Sequence, residues 1–389
     1  MIPYGRQDIS QADIDAVISV LQSDFLTQGP IVPLFETTIA KYCRAKHGVA
    51  VNSATSALHV ACRALGLKHG DRLWTSPNSF VASANCGRYC GATVDFVDID
   101  PGTYNMSVEC LKKKLEKAEK EGGLPKIVIP VHFAGQPCEM ATIGALAEQY
   151  GFSVIEDASH AIGAKYRGEP VGNNKYSDIT VFSFHAVKII TTGEGGLATT
   201  NDPHLAEAMR QLRSHGITRD VNCMHDRSEG SWYYEQISLG FNYRMTELQA
   251  ALGLSQFSRL TEFINVRHVI AEKYDVALSS MPLELPQRID GCRSSLHLYP
   301  IQVARPAKRR RVFNILRDAG VGVNVHYIPI HLQPDYKKFG FRRGSFPNAE
   351  LYYDRAISLP IYPTLGSIEQ DQVISELGVA LEANEQLVD

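Results

Sequence analysis

The sequence predicts an α/β protein built on a mostly parallel seven-stranded sheet flanked by helices, with a smaller α/β unit after it. Three observations carry that expectation. The chain has 389 residues, more than one ordinary core accommodates. Between about residues 45 and 200 short β-rich runs alternate with helical stretches, the pattern of a parallel sheet covered by helices. Past residue 278 the texture changes, with Pro282, Pro286, Gly291 and the polar pair Ser294-Ser295.

The expected strands are Gly48 to Val51, Arg72 to Thr75, Thr93 to Val97, Lys126 to Val131, Ser153 to Ile155, Ile179 to Ser183 and Gly196 to Thr199. Between them, Ala57, Leu58, Ala61 and Leu65 share one helical face that stops at Gly66, and Ala141 to Tyr150 repeats the design before Gly151. Residues 203–215 and 245–278 are helical by the same reasoning. The small unit reads as a strand Leu296 to Val303, a helix Lys308 to Ala319, a strand Val321 to Tyr327 and a closing helix near 368–385. The expected division is 1–254 for an N-terminal segment with the large unit, and 255–389 for the small one.

Hydrophobic residues make up 44% and charged residues 21%, a globular composition. The formal net charge of -3 supplies no field of one sign to hold nucleic acid or anionic lipid. No apolar run is long enough to span a bilayer and the start lacks a signal-peptide pattern, so the expected location is the cytoplasm. Eight scattered cysteines form no Cys-x-x-Cys pair, and no metal site is expected. The run Lys308 to Arg311, at a helix start, reads as a solvated charge cluster.

In open α/β sheets ligands collect at the carboxyl ends of the strands, and four such ends carry matching chemistry. After Val51 come Asn52-Ser53-Ala54-Thr55-Ser56 and a helix, a phosphate cradle of small residues and free N–H groups, or plain N-capping by Ser53 or Thr55. After Trp74-Thr75-Ser76-Pro77-Asn78, Phe80 could stack on a flat heterocycle or pack in the core. Val154-Ile155 delivers Glu156 and Asp157, a carboxylate for a buried cation or a helix cap. Ile179 to Phe184 leads to Lys188, wedged between Val187 and Ile189-Ile190, where desolvation favours the neutral amine that attacks an aldehyde. Read alone, Lys188 is a snorkelling surface lysine. The order is the specific feature: phosphate turn, aromatic, acid, then lysine 31 positions later (188 minus 157). It points to pyridoxal 5'-phosphate (PLP), whose ring nitrogen needs an acid partner.

These residues resemble the fold-type-I PLP-dependent transferases, specifically the DegT/DnrJ family of nucleotide-sugar aminotransferases. The likeness runs from Leu26-Thr27-Gln28-Gly29-Pro30 through Asn52 to Leu58, Glu156-Asp157-Ala158-Ser159-His160, Ser183 to Lys188 and Gly240-Phe241-Asn242-Tyr243-Arg244 to Val325-His326-Tyr327. Arg213-Ser214-His215-Gly216, Ile190-Thr191-Thr192 and Val325 to Ile330 are most similar to the branch serving pseudaminic-acid biosynthesis.

The resemblance implies that Lys188 carries PLP as a Schiff base, Asp157 pairs with the ring nitrogen, His160 sits near the ring hydroxyl and Phe80 stacks on the ring. It implies that Ala54, Thr55 and Ser183 hold the phosphate, joined by Asn242 from a second subunit, so that a homodimer shares its sites. Tyr4, the segment Asp24, Phe25, Leu26 and Thr27, and the segment Asn324, Val325, His326 and Tyr327 fall on the substrate side. The implied substrates are L-glutamate and a UDP-linked 4-keto-6-deoxy sugar. Lys188 argues against the relatives that carry histidine there and dehydrate sugars, and Ala186 departs from the proline of many close relatives. Arg213, Arg219 and Arg244 are unranked candidates for the glutamate side-chain carboxylate. Other readings are an aminotransferase for a different nucleotide keto-sugar, such as a GDP-perosamine type, and a non-catalytic PLP-fold regulator.

Overall fold

The computed structural model describes residues 1–225 and 230–383. Seven short runs rich in β-branched and apolar residues pair into one sheet: β1 His47–Val51, β2 Arg72–Thr75, β3 Thr93–Phe96, β4 Ile127–Ile129, β5 Ser153–Asp157, β6 Ile179–Ser183 and β7 Gly196–Thr200. Their order is β1-β7-β6-β5-β4-β2-β3. Only β7 runs antiparallel to its neighbours β1 and β6; β2, β3, β4, β5 and β6 pair in parallel.

Both faces of the sheet are covered, and the period of two decides which residue faces which layer. Val49, Val51 and Val181 point to the layer holding Leu58, Ala61, Met209 and Leu212 from the helices Ala54–Ala64 and Pro203–Arg213. The residues between them, Ala50 and Phe182, point to the other face with Phe35, Ile39 and Ala250. A third cluster packs Val128 and Val154 under Leu111, Leu115 and Ile143 of the helices Val108–Glu121 and Met140–Tyr150. All seven expected strands are present, with ends moved by a residue or two. The shift that matters is in β5, which continues through Asp157, paired with Val181, so this acid is strand and no helix cap.

The expected helical run 245–278 is two helices, Glu247–Ser258 and Leu260–Leu278. They part at Arg259, whose guanidinium reaches Asp13 Oδ2 at 2.5 Å and Asp8 O at 3.0 Å. The second helix joins two cores: Leu260, Phe263 and Ile264 pack with the sheet, Ile270, Ala271, Tyr274 and Leu278 with the C-terminal core.

That C-terminal core forms around β8 Leu283–Glu284, β9 Tyr299–Val303 and β10 Ala356–Leu359, antiparallel in the order β8-β9-β10. The helices Arg309–Asp318 and Ser367–Glu382 cover it. The expected strand Val321 to Tyr327 is not a ladder strand: β10 takes the place beside β9, and 321–327 makes only isolated bridges, Ile2 to Val321 and Asn324 to Ser358. Alternating apolar residues suggested a strand. In the fold the first of them serve the chain start, where Gly322 N donates to Ile2 O at 2.6 Å, and the last line the ligand cavity.

Candidate active site

The parallel strands end on one edge of the sheet, and a cavity of about 530 Å³ opens there. It is lined by Ser53, Ala54 and Thr55 after β1, Ser79 and Phe80 after β2, Asp157, Ser159 and His160 at the end of β5, and Ser183, His185, Val187 and Lys188 at and after the end of β6. Chain far away in sequence supplies the opposite wall: Tyr4, His297 and Asn324 to Tyr327.

Each wall is fixed for a local reason. Ser53 Oγ accepts from Ser56 N at 3.1 Å, so this serine is the helix cap, and the first N–H groups of Ala54–Ala64 face the cavity end. Gly196 in β7 lets that turn lie flat, since a Cβ there would stand 2.5 Å from Ala54 N. Asp157 is buried; its Oδ2 accepts from Ser83 Oγ at 2.6 Å and its Oδ1 from Ser159 N at 3.1 Å. Ser79 and Ser83 hydroxyls stand 2.7 Å apart behind it. Beneath, Glu156 turns to the opposite face and bonds His132 Nε2 at 2.7 Å and Thr180 Oγ1 at 3.1 Å, which anchors β5.

Burial sets the protonation states. It pulls the Lys188 amine down to about 8, with Asp157 partly opposing. His160 is held well below the ordinary histidine range by burial, then by the nearby Lys188 and His326. Burial and Lys188 bring His326 down to about 3. Burial, then Lys188 and His160, hold His297 low as well, so three neutral imidazoles, those of His160, His297 and His326, surround one amine of lowered basicity. Tyr327 Oη lies 3.1 Å from His160 Nε2 with the rings nearly parallel, and His160 Nδ1 is buried without a hydrogen-bond partner.

Of the residues singled out from sequence, Tyr4, Ala54, Thr55, Phe80, Asp157, His160, Ser183, Lys188, Asn324, Val325, His326 and Tyr327 all line this one cavity. Phe80 is 59% exposed, which removes the core-packing reading. Asn242 and the segment Asp24 to Thr27 are exposed and lie outside the cavity lining of their own chain. Arg213 is engaged: it pairs with Glu36, which itself accepts from Ala50 N at 2.8 Å, and it donates to Ala50 O at 2.5 Å. It is therefore no free cation for a carboxylate. Sequence reasoning missed Ser79, Ser83 and His297. Serines just before and at the start of a helix, as Ser79 and Ser83 are to Ala82–Tyr89, carry no signal of their own; the signal for His297 was a histidine near the start of an apolar strand run. Among the described residues no group of three or more side chains could hold a metal, and all eight cysteines are free.

A lysine of lowered basicity facing a buried acid, beside a phosphate-ready helix end on a sheet of this topology, defines a fold-type-I transferase. The chain belongs to the DegT/DnrJ/EryC1/StrS aminotransferase family, whose sequence profile matches residues 7–378. It is 41% identical to the spore coat polysaccharide biosynthesis protein SpsC of Bacillus subtilis, over 96% of this chain and 95% of that one. It is 37% identical to the UDP-4-amino-4,6-dideoxy-N-acetyl-beta-L-altrosamine transaminase of Campylobacter jejuni, over 93% of each. Among solved structures, the Helicobacter pylori aminotransferase PseC, involved in the biosynthesis of pseudoaminic acid, superposes with a TM-score of 0.90 at 31% identity, covering 98% of this chain and 99% of that one. A putative sugar aminotransferase of Streptococcus pneumoniae in its PMP form gives 0.90 at 29% identity, covering 99% and 100%.

Proposed function

We propose that this chain moves the amino group of L-glutamate, by way of PLP, to C4 of UDP-2-acetamido-2,6-dideoxy-β-L-arabino-hex-4-ulose, giving UDP-4-amino-4,6-dideoxy-N-acetyl-β-L-altrosamine. The observation that carries the cofactor assignment is the pairing in one cavity of the Lys188 amine, lowered to about 8, with the buried carboxylate of Asp157. The residues fit the cofactor. Thr55 and the N–H groups of Ala54–Ala64 suit a phosphate, the exposed Phe80 ring is free to stack, and His160 lines the same cavity with its buried Nδ1 lacking a hydrogen-bond partner. The likeness to the Campylobacter transaminase and to PseC supports the choice of sugar.

Bound PLP supplies an aldehyde for amines to condense with and a ring that takes up the electron pair left when a proton leaves the amino-bearing carbon. The protein's own groups do the rest. Lys188 takes that proton on Nζ and returns it on the opposite course, which its lowered basicity permits near neutral pH. Asp157, held by Ser83 and Ser159, is the acid that would pair with the ring nitrogen of bound PLP and would keep a proton there. Tyr4 and Asn324 to Tyr327 form the sugar wall, with His326 Nδ1 fixed by Ser358 Oγ at 2.8 Å. Residues 1–254 carry the cofactor in this reading, and the unit from 255 on supplies most of that wall. The functional form is a cytoplasmic homodimer in which Asn242 completes the phosphate seat across the interface, and Asp24 to Thr27 likewise serve the other subunit's substrate.

The test is incubation with glutamate and a panel of UDP-, dTDP- and GDP-linked keto-sugars, with the amino-sugar product read by mass spectrometry and NMR. Amination of the UDP sugar at C4 is expected. Reaction with only a GDP or dTDP sugar overturns the substrate assignment. The 41% identity to SpsC favours, as second reading, another nucleotide keto-sugar used in polysaccharide synthesis.

A further inference from the structure

His297 was not among the residues the sequence singled out, yet it lies against the working amine. Its Nε2 is 3.5 Å from Lys188 Nζ, the only hydrogen-bond neighbour of that nitrogen among the described residues. The separation is long for a hydrogen bond, as expected for a site whose contacts tighten when its ligands bind. The ring is 5% exposed and packs at 4.4 Å from the His160 ring.

The backbone beneath this imidazole is fixed with unusual force. Arg267, fully buried at the middle of the helix that joins the two cores, sends Nη1 to the carbonyls of Leu296 at 3.1 Å, His297 at 3.3 Å and Ile361 at 2.9 Å. No carboxylate pairs with it among the described residues, and burial lowers this guanidinium to about 10. A buried cation held only by carbonyls is costly, and these three bonds tie the backbone at Leu296 and His297 to the helix that joins the two cores.

We propose that His297 is a positioning residue for Lys188: its Nε2 accepts an N–H of the lysine amine and aims that amine at the cavity whenever the amine is free. The proposal rests on the reading of Lys188 as the working amine. Below about pH 8 the lysine carries three N–H donors and no lone pair, so Nε2 is then the acceptor and the imidazole proton resides on Nδ1, which is buried without a hydrogen-bond partner. Burial, Lys188 and then His160 keep the His297 ring neutral, so it remains an acceptor through the neutral range. Asp157 acts on the amine through its charge, but among the described residues no hydrogen bond joins the two. Of the other groups facing the amine, His160 Nε2 is occupied by Tyr327 and His326 Nδ1 by Ser358.

The test compares His297→Gln with His297→Asn. Both are neutral amides, but only glutamine carries its oxygen about as far out as Nε2, whereas asparagine stops near the position of Nδ1. Two readouts are taken. In cofactor-free protein, acylation of Lys188 is followed against pH by peptide mass spectrometry; in PLP-loaded protein, the half-reaction with glutamate alone is followed by stopped-flow absorbance. The expected result for asparagine is an apparent Lys188 pKa below the wild-type value, because an acceptor for the charged form is lost. Its half-reaction rate constant should fall about tenfold or more with the glutamate KM little changed. Glutamine should restore both. The proposal is overturned if the two variants behave alike, either both like wild type or both equally slow. A wild-type enzyme that carries out no half-reaction would instead remove the reading of Lys188, so the two failures are distinct.

Discussion

Replacing Lys188 with methionine should stabilise the cofactor-free protein at neutral pH, and the structure sets the size of the effect. Burial holds the amine at about 8 against the ordinary 10.5, so the unfolded chain binds this proton more tightly than the folded one. A folded pKa that is depressed in this way makes the charged lysine a full liability below pH 8, and the liability fades as pH rises from about 8 to 10.5. The interval, 10.5 minus 8, at about 1.4 kcal/mol per pH unit amounts to about 3 kcal/mol at pH 7 and less than about 1 kcal/mol at pH 10. Methionine keeps most of the side chain's volume and removes the charge. Urea unfolding at one fixed protein concentration, run at pH 7, 8, 9 and 10 on both forms, reads the difference. A Lys188→Met protein that is less stable at pH 7, or an advantage that does not shrink with pH, would refute the argument that this amine is desolvated in the fold.

Two further predictions concern the acid in the cavity and the arginine paired with Glu36. Asp157→Asn should lower the rate of the glutamate half-reaction on the order of 10²-fold, and Ser83→Ala, which removes the 2.6 Å donor to Asp157 Oδ2, should lower it less; a wild-type rate in Asp157→Asn would exclude the acid's role. Arg213→Leu should cost about 3 kcal/mol or more in urea unfolding, because Glu36 is left buried and unpaired, while the glutamate KM stays near wild type if enough folded protein is recovered. A many-fold rise in that KM at unchanged stability would return Arg213 to the substrate.

The sequence alone determined the sheet and the residues at its edge. Turn residues after each apolar run mark where a strand stops, and in a parallel sheet every strand stop falls on one side, so Ala54, Phe80, Asp157 and Lys188 are committed to a common edge before any packing is known. The period of two did the same for the layers, with Val181 and Phe182 assigned to opposite faces by local geometry. What failed were features set by competition between distant segments. Residues 321–327 alternate like a strand, but 356–359 won the place beside 299–303, and no local signal ranks two candidates for one ladder.

Only the tertiary structure decided which side chains surround the amine. His297 lies 109 positions from Lys188, and it arrives there because Arg267 clamps its carbonyl from a helix shared by both cores. Ser83 likewise meets Asp157 across 74 positions. Contacts at such separations depend on how finished elements pack, and a helix or strand presents the same local sequence whether or not a partner awaits it.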